Sequence, residues 1–163
     1  MSRADRVRVE LETQTNTIYE TLTYFKDMFD DTFLREEESR RQYAKKIHNL
    51  GFLFTAYDEE KIRGFICGYL NQEIKQVYIS FLAVDQNIGA FKGVVLLELY
   101  NTVVDFGTEH GMESVKIEVK EDNTSVVKLY KKLGLSVLGK AKENTIYMGQ
   151  ERDKLRFRSG KES

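Results

Sequence analysis

The chain has few of the residues that build metal, redox or disulfide chemistry: one cysteine (Cys67), two histidines (His48 and His110), and no proline or tryptophan. A lone cysteine excludes an internal disulfide and fits a reducing compartment, so we expect a cytoplasmic protein. Zinc sites and histidine-based nucleophile systems need more partners than these three side chains offer, and we predict no metal. Without proline, turns must be built by Gly, Asn and Asp.

Neither sign of charge dominates, because 25 basic residues stand against 26 acidic ones and the formal net charge is −1. No global field would therefore recruit nucleic acid or a membrane surface. No stretch approaches the roughly 18 apolar residues that a spanning helix needs. No basic segment followed by an apolar run marks a secretory signal. The composition thus predicts neither nucleic acid nor membrane as a partner.

What the chain does have is a hydrophobic fraction of 41%, enough for the core of about one domain. Alternation of apolar and polar residues predicts strands, and helical spacing predicts four helices. The predicted strands are 6–11, 52–57, 62–71, 77–84, 114–120, 135–139 and 144–148, and the helices are 14–30, 35–49, 90–107 and one beginning at 123. This order predicts an α/β (α+β) fold with a mixed central sheet of about seven strands and helices on both faces. We predict a single domain over 1–150 and a polar, disordered tail over 151–163.

The most informative segment, residues 123–135, reads Asn-Thr-Ser-Val-Val-Lys-Leu-Tyr-Lys-Lys-Leu-Gly-Leu. Asp122 or Asn123 can cap a helix, because a short polar side chain accepts from the free N–H groups of the first turn. Gly134 stands where a left-handed residue ends a helix. The apolar stripe consists of Val126, Leu129, Tyr130 and Leu133. Taken alone, the pattern predicts a short amphipathic helix with a core tyrosine.

The Asn, the Leu-Tyr pair and the Gly-Leu pair at these offsets resemble the second signature of the Gcn5-related N-acetyltransferases. The order of elements over nearly the whole chain is similar to the acyl-CoA N-acyltransferase (GNAT) fold, and the chain resembles the stand-alone bacterial members. The resemblance implies transfer of an acetyl group from acetyl-CoA to an amine. It places Tyr130 beside the thioester sulfur as general acid, a role that suits a phenol with an ordinary pKa of about 10. It places Asn123 near the pantetheine or pyrophosphate, although a simple N-cap would look the same.

The segment after the strand ending at Val84 is the place for a diphosphate loop, because glycine-bearing loops that open helices supply N–H donors. The family pattern there is Arg or Gln, two residues, Gly, one residue, then Gly or Ala. Two alignments remain open: one keeps Gln86 and Gly89, and the other, which the helix favours, keeps Gly89 and Gly93. The residues implied to contact acetyl-CoA are Gly89, Ala90, Phe91, Lys92 and Gly93.

This loop departs from the family pattern at two positions in the favoured alignment. Ile88 stands in place of Arg or Gln, and Phe91 stands in place of the middle glycine. A ring at that position is expected to obstruct the approach of backbone to phosphate. The alternative interpretation is an ordinary strand-to-helix connection.

The strand before the loop supplies the other implied contacts. Leu82, Ala83 and Val84 resemble the strand end whose backbone pairs with pantetheine, and the alternative is a fully paired core strand. The position that holds a glutamate base in some relatives is Tyr78. We therefore expect the amine proton to leave through a water chain ordered by Tyr78 and Ser80.

The acceptor site in this family lies between the first two helices and the strand hairpins. The residues implied there are Tyr24, Phe25, Phe29, Asp30 and Phe33, a set that suits a small-molecule or peptide amine. The alternative is that the aromatics are core residues and the acid is simply solvated. Two functions stay open: an active N-acetyltransferase, and a non-catalytic module for protein contacts. A homodimer through sheet edges near the C-terminal hairpin is also plausible.

Overall fold

The computed structural model describes residues 6–29 and 33–151, which form two compact units. Unit 1 runs through Tyr69 and resumes over Phe81–Tyr100, and unit 2 consists of Leu70–Ser80 and the described residues from Asn101 onward. The strands are β1 Val7–Leu11, β2 Phe52–Asp58, β3 Lys61–Asn71, β4 Gln76–Val84, β5 Ser114–Lys120, β6 Ser136–Lys142 and β7 Thr145–Glu151. The helices are α1 Thr15–Tyr24, α2 Glu37–Leu50, α3 Phe91–Glu109 and α4 Thr124–Lys132, with short 3-10 helices at Lys26–Phe29 and Phe33–Arg35.

The seven strands are hydrogen-bonded in the order β1-β2-β3-β4-β5-β7-β6. The pairs β1–β2, β2–β3, β5–β7 and β6–β7 are antiparallel, whereas β4 and β5 are parallel. The predicted mixed sheet of an α/β protein is therefore confirmed. The parallel pair follows from α3, because a strand can return in the same direction only through a long crossover.

In unit 1, both faces of the sheet are covered. Phe65 of β3 meets Phe25 and Phe29, whose ring centroids lie 5.4 and 5.9 Å away. The next residue back, Gly64, points to the opposite face, because side chains alternate along a strand. There a Cβ on Gly64 would lie 3.1 Å from Val95 and from Leu99 of α3, so the missing side chain lets this helix approach closely.

In unit 2, the buried side chains come from alternate residues of β4, β5 and β7. Val77 and Ile79 lie beside Val115 and Ile117, and Met148 stands opposite Ile117. The second half of α3 reaches this layer at Gly107, where a Cβ would lie only 2.6 Å from the Val77 side chain. The alternation predicted for 114–120 is confirmed.

The first predicted helix was too long. It was expected to reach residue 30, but α1 ends at Tyr24, and the N–H of Phe25 bonds to the carbonyls of Leu22 and Thr23. A 3-10 helix follows at Lys26–Phe29. The apolar residues at 25 and 29 fitted a helical stripe, yet the rings reach the core by a tighter turn.

The spacing of Glu36 and Arg40 along α2 would suit an exposed ion pair, but Arg40 is only 4% exposed. Its guanidinium donates to the Thr23 hydroxyl at 3.1 Å, and to the carbonyls of Leu34 and Arg35 at 3.1 and 2.7 Å. At the same spacing, Glu37 and Arg41 do form a pair, at 3.9 Å and well exposed. Arg40 therefore holds the connection between α1 and α2, a role that spacing along one helix does not reveal.

Gly51 follows α2 and caps its end, but not in the left-handed conformation that glycine often adopts there. Its φ of −133° is extended. Its lack of a side chain matters for space instead, since a Cβ would lie 2.4 Å from the Gly68 carbonyl. Glu151, the last residue of β7, pairs with Ser114 of β5, so the sheet extends one residue into the predicted tail. Residues 152–163 lie outside the described residues, and the single domain stays a prediction.

Candidate active site

Helix α4 in unit 2 is built as its sequence predicts. The side chain of Asn123 accepts from the N–H of Val126 at 3.4 Å, which caps the first turn. Gly134 has a φ of 103°, and the N–H of Leu135 bonds to the carbonyl of Tyr130 at 3.0 Å. This closing turn satisfies a carbonyl that the helix end would otherwise leave free. The backbone of Tyr130 is thus fixed by the helix end itself.

The side chain of Tyr130 is 5% exposed. Burial raises the pKa of Tyr130 above the ordinary value of a phenol, because the charged form would lose its hydration. The hydroxyl therefore carries its proton at any pH near neutrality. The hydroxyl is thus available to donate its proton to a departing thiolate, although burial also makes it a weaker acid than an ordinary phenol.

Tyr78 and Ser80 are both half-buried, and the register of β4 with β5 runs from Gln76 to Ile79. Ser80 is thus the first residue of β4 beyond that register. The pKa of Tyr78 is raised, mainly by burial and then by the charges of Glu118 and Tyr147. Tyr78 is therefore protonated at neutral pH and is not itself a base.

Glu118 on β5 is a carboxylate that the sequence interpretation missed. Its Oε2 accepts from the Thr145 hydroxyl at 3.0 Å and lies 3.4 Å from the Lys142 ammonium. From the sequence, a base was expected only on β4. Glu118 lies two residues after Lys116 on β5 and therefore on the same face, and Lys116 stands opposite Tyr78 in the parallel pair. That register was the signal available, because residues two apart on a strand lie on one face.

The loop after β4 lies in unit 1, and its glycines leave open space. Gly89 has a φ of +58°, and nothing lies within 4 Å of a Cβ built on Gly89 or on Gly93. The N–H groups of Phe91, Lys92 and Gly93 make tight-turn bonds of 3.1 to 3.3 Å to the carbonyls three residues earlier. The segment that leads into α3 therefore contains a left-handed glycine, at a position that both alignments keep.

Phe91 does not occupy that open space. Its side chain is 8% exposed, and the guanidinium of Arg6 stands 4.8 Å from its ring centroid. Because no atom approaches the Cβ positions at 89 and 93, the ring is turned away from both glycines. The ring therefore lies outside the space beside both glycines, and its effect on phosphate binding stays a prediction. Gln86, kept by the other alignment, donates its amide to the carbonyl of Val84 at 2.8 Å.

The remaining positions of the loop and of β4 are placed as follows. Ala90 is exposed and Lys92 is half-buried at the start of α3, so both stand at the surface of the loop. Leu82 is half-buried, whereas Ala83 and Val84 are buried at 3% and 6%. Contacts of these residues with acetyl-CoA stay a prediction.

The aromatic residues predicted for the acceptor divide into two groups. Phe25 and Phe29 are buried in the core at 3% and 8%, which favours the alternative that they are core residues. Tyr24 and Phe33 are exposed at 55% and 50%. Asp30 lies outside the described residues. Only the exposed pair has the surface that contact with an acceptor requires.

Phe33 belongs to a triangle of rings that sequence interpretation did not find. Its centroid lies 5.4 Å from that of Tyr43 and 6.1 Å from that of Phe81, and the last two are 5.6 Å apart. A surface depression of about 240 Å³ adjoins this triangle. Phe33, Ser39, Gln42, Tyr43 and Lys46 line it. The spacing of Ser39, Gln42, Tyr43 and Lys46 marks one face of α2, but nothing in the sequence joins that face to Phe33.

Within residues 6–29 and 33–151, no cluster of three His, Cys, Asp or Glu side chains is arranged to hold a metal ion. Over the same residues, no helix combines the length and the apolar character needed to cross a membrane. The groups that remain for chemistry are the buried phenol, the carboxylate of Glu118 and the open glycine loop.

A parallel β4–β5 pair, a glycine loop opening α3 and a buried tyrosine on a capped helix define the class of acyl-CoA-dependent acyltransferases. The model of the acetyltransferase (GNAT) family matches residues 18–135, and the chain belongs to that family. Its members are N-acetyltransferases that use acetyl-CoA. No curated protein matches this sequence.

Solved structures share the fold over nearly the whole chain. The spermidine/spermine N-acetyltransferase SpeG from Vibrio cholerae, in mutant forms, has a TM-score of 0.73 at 16% identity, covering 95% of this chain and 99% of that one. The ribosomal-protein-S5-alanine acetyltransferase from Vibrio fischeri has a TM-score of 0.70 at 18% identity, covering 91% and 94%. Spermidine N-acetyltransferase from Vibrio cholerae in complex with CoA and spermine has a TM-score of 0.72 at 13% identity, covering 93% and 99%. At such identities the likeness establishes the fold alone.

Proposed function

We propose that this protein transfers an acetyl group from acetyl-CoA directly to a primary amine of a small molecule, an amino sugar or a peptide. The observation that carries the proposal is the open loop at Gly89 and Gly93, because Phe91 was the strongest reason to doubt coenzyme binding. Membership of the acetyltransferase family supplies the reaction class. The related structures act on spermidine and on a ribosomal protein, so the fold accommodates both small and protein-borne amines.

In the proposed reaction, the amine nitrogen attacks the thioester carbonyl carbon and forms a tetrahedral intermediate. The carbon–sulfur bond then breaks, and the sulfur takes a proton from the hydroxyl of Tyr130, which burial keeps protonated. The attacking nitrogen loses its proton to water ordered by Tyr78 and Ser80. Glu118 receives that proton, since it is the carboxylate whose charge acts on Tyr78. Tyr130 regains a proton from solvent after CoA departs.

The coenzyme contacts of the proposal are mostly backbone groups. The loop from Gly89 to Gly93, which includes Ala90, Phe91 and Lys92, would hold the diphosphate. The N–H groups of Gly89 and Ala90 would donate to it, because those of Phe91, Lys92 and Gly93 already donate within the turn. Leu82, Ala83 and Val84 would pair with pantetheine, and Asn123 would bond to the coenzyme. Tyr24 and Phe33 would contact the acceptor.

Binding of acetyl-CoA tests the proposal first. A ligand at 100 times its Kd stabilises the folded state by about 2.7 kcal/mol. We expect a saturable rise in Tm with acetyl-CoA, and release of free thiol when a panel of amines is added. Unchanged melting at millimolar acetyl-CoA would exclude the enzyme function.

A second candidate is a non-catalytic module that acts through protein contacts. Two observations favour it: Ile88 lacks the polar, hydrogen-bonding side chain of the family Arg or Gln, and β6 exposes Val137 at 47% and Leu138 at 55%. Apolar residues on a strand of this kind could pair with a second copy or with another protein. Sedimentation of a Leu138→Lys variant, together with acetyl-CoA binding, separates the two: the module requires association without coenzyme binding.

A further inference from the structure

The loop proposed to hold the diphosphate is tied to a neighbouring strand by an ion pair that the family pattern does not mention. Arg63 lies on β3, and Asp85 is the first residue after β4. We propose that Arg63 and Asp85 are positioning residues that hold the 85–93 loop in the conformation that receives the diphosphate of CoA. The inference rests on the proposed function, because the loop is its binding element.

The two residues are joined twice. The Nη1 of Arg63 donates to Oδ2 of Asp85 at 2.8 Å, and the backbone N–H of Asp85 donates to the carbonyl of Arg63 at 2.8 Å. Their side chains are only 20% and 13% exposed, so water competes little with the pair. Backbone and side chain of Asp85 are thus both fixed to one residue of β3, which sets where the loop begins and in which direction it leaves the sheet.

The second oxygen of the same carboxylate shapes the loop. The Oδ1 of Asp85 accepts from the N–H of Asn87 at 3.0 Å, which closes a turn two residues long. An Asp side chain that bonds two residues ahead imitates a backbone turn. One carboxylate therefore connects β3 to the turn that leads into Gly89, whose left-handed φ of +58° opens α3.

The far end of the loop rests on the same part of β3. A Cβ on Gly64, the neighbour of Arg63, would lie 2.8 Å from the Ala83 carbonyl and 3.1 Å from Val95 and Leu99 of α3. The loop is thus tied to Arg63 where it begins, and the helix that follows it packs against Gly64. A loop that is fixed at its start and continues into a packed helix needs less ordering when a ligand binds, and this lowers the cost of binding.

The pair contributes geometry rather than stability. Apolar pairs often replace a buried ion pair with little loss of stability, because desolvation offsets much of the attraction between the charges. The bond from Asn87 N–H to Oδ1, however, needs an acceptor in one direction, which an apolar side chain cannot supply. Loss of the pair should therefore disturb the loop more than the fold.

Two acetyl donors distinguish a positioning role from a general structural one. Acetyl-CoA carries the diphosphate, and acetyl-pantetheine does not. In Arg63→Met and Asp85→Leu, we expect kcat/KM for acetyl-CoA to fall about tenfold or more through KM, with kcat nearly unchanged. For acetyl-pantetheine we expect kcat/KM within about twofold of the starting protein. Calorimetry with CoA should show the same loss of affinity, and Arg63→Lys should recover part of it.

Glu37→Gln is the matched control, because it removes one carboxylate from the exposed Glu37–Arg41 pair far along the chain from the loop. This substitution should leave kcat/KM unchanged with both acetyl donors. The inference is overturned if the Arg63 and Asp85 variants lose kcat/KM equally with both donors, or lose it with neither. Should a single variant fail to fold, the double variant Arg63→Met/Asp85→Leu carries the test, because it leaves no unpaired buried charge. Failure of the starting protein to bind CoA would instead overturn the proposed function, and the inference with it.

Discussion

Two regions of the molecule meet the family pattern in opposite ways. In α4, each residue of the signature is present, and each does in the structure what its type suggests: Asn123 caps, Tyr130 is buried and Gly134 ends the helix. In the loop after β4, Ile88 and Phe91 depart from the pattern. The loop nevertheless presents the open glycine backbone that the pattern exists to provide.

The difference follows from what each region must supply. In the proposed reaction, α4 supplies a side-chain group, the phenol, so a change of that residue would remove the chemistry. The loop is proposed to supply backbone N–H groups, so a side chain there would matter only through its direction. Phe91 is buried, with the guanidinium of Arg6 4.8 Å from its ring centroid, and it leaves the space beside both glycines open. Matching the family motif residue by residue is therefore a stricter test of α4 than of the loop.

The largest expected effect is on kcat, when the phenol hydroxyl of Tyr130 is removed. In Tyr130→Phe we expect kcat to fall about 10²- to 10⁴-fold, the usual contribution of a general acid, with little change in KM for acetyl-CoA. Steady-state kinetics with the best amine of a panel is the measurement. Tyr100→Phe is the control, because Tyr100 is equally buried at 1% exposure yet has no proposed role in the reaction. Equal losses in both variants would show that the hydroxyl of Tyr130 is merely structural.

The second prediction concerns Phe91, where the loop departs from the family pattern. Phe91→Gly supplies the family residue, but it removes a buried ring and should destabilise the fold by about 3 kcal/mol. Affinity for CoA per folded molecule should stay unchanged, because the ring does not obstruct the loop. Chemical denaturation and calorimetry measure the two quantities. Phe54→Ala, another buried ring in unit 1, controls for lost packing. Tighter CoA binding at unchanged stability would mean that the ring does reach the phosphate.

The third prediction concerns the two loop glycines, which should respond with opposite signs. Gly89→Ala forces a side chain into a left-handed conformation and should cost about 1–2 kcal/mol of stability. Gly93→Ala lies in the first turn of α3 with open space around it, and should stabilise the fold by about 0.5–1 kcal/mol. Denaturation curves of the pair measure both. Similar destabilisation at the two positions would contradict the backbone conformation described for Gly89.

The smallest effect is on alkaline stability, and it separates α4 from the loop. Burial raises the pKa of Tyr130, and burial together with the bond to Glu12 raises the pKa of Tyr57 to about 12. Above pH 10 the unfolded chain releases these protons while the folded chain keeps them, so stability should fall between about pH 10 and 12 and stay constant below. Tyr130→Phe should flatten this slope in denaturant midpoints, whereas Gly89→Ala should not. An unchanged slope in Tyr130→Phe would mean that the phenol is hydrated.

Features encoded within a few residues could be predicted from the sequence. The cap, the stripe and the final glycine of α4 are neighbours along the chain, and the alternation in 114–120 needs no partner to be recognised. The order of elements followed from these local patterns. The mixed character of the sheet was predicted from that order of elements.

Features set by distant residues could not be predicted. The direction of Phe91 depends on Arg6, eighty-five positions earlier by their numbers. The burial of Arg40 depends on carbonyls of a 3-10 helix that helical spacing did not indicate. Glu118 became visible only when the register of β4 with β5 placed it near Tyr78. In each case a contact between separate elements decided the role of the side chain.

The buried guanidinium of Arg40 should keep the 3-10 helix Phe33–Arg35 in one conformation when the solvent changes. At 4% exposure, dissolved counterions hardly reach this guanidinium, so salt screens its contacts little. Its hold on the carbonyls of Leu34 and Arg35 should persist from dilute buffer to brine. If the preferred amine changes with pH or ionic strength, we therefore expect the cause to lie in the amine and the proton-transfer groups. The conformation of the segment around Phe33 should stay the same.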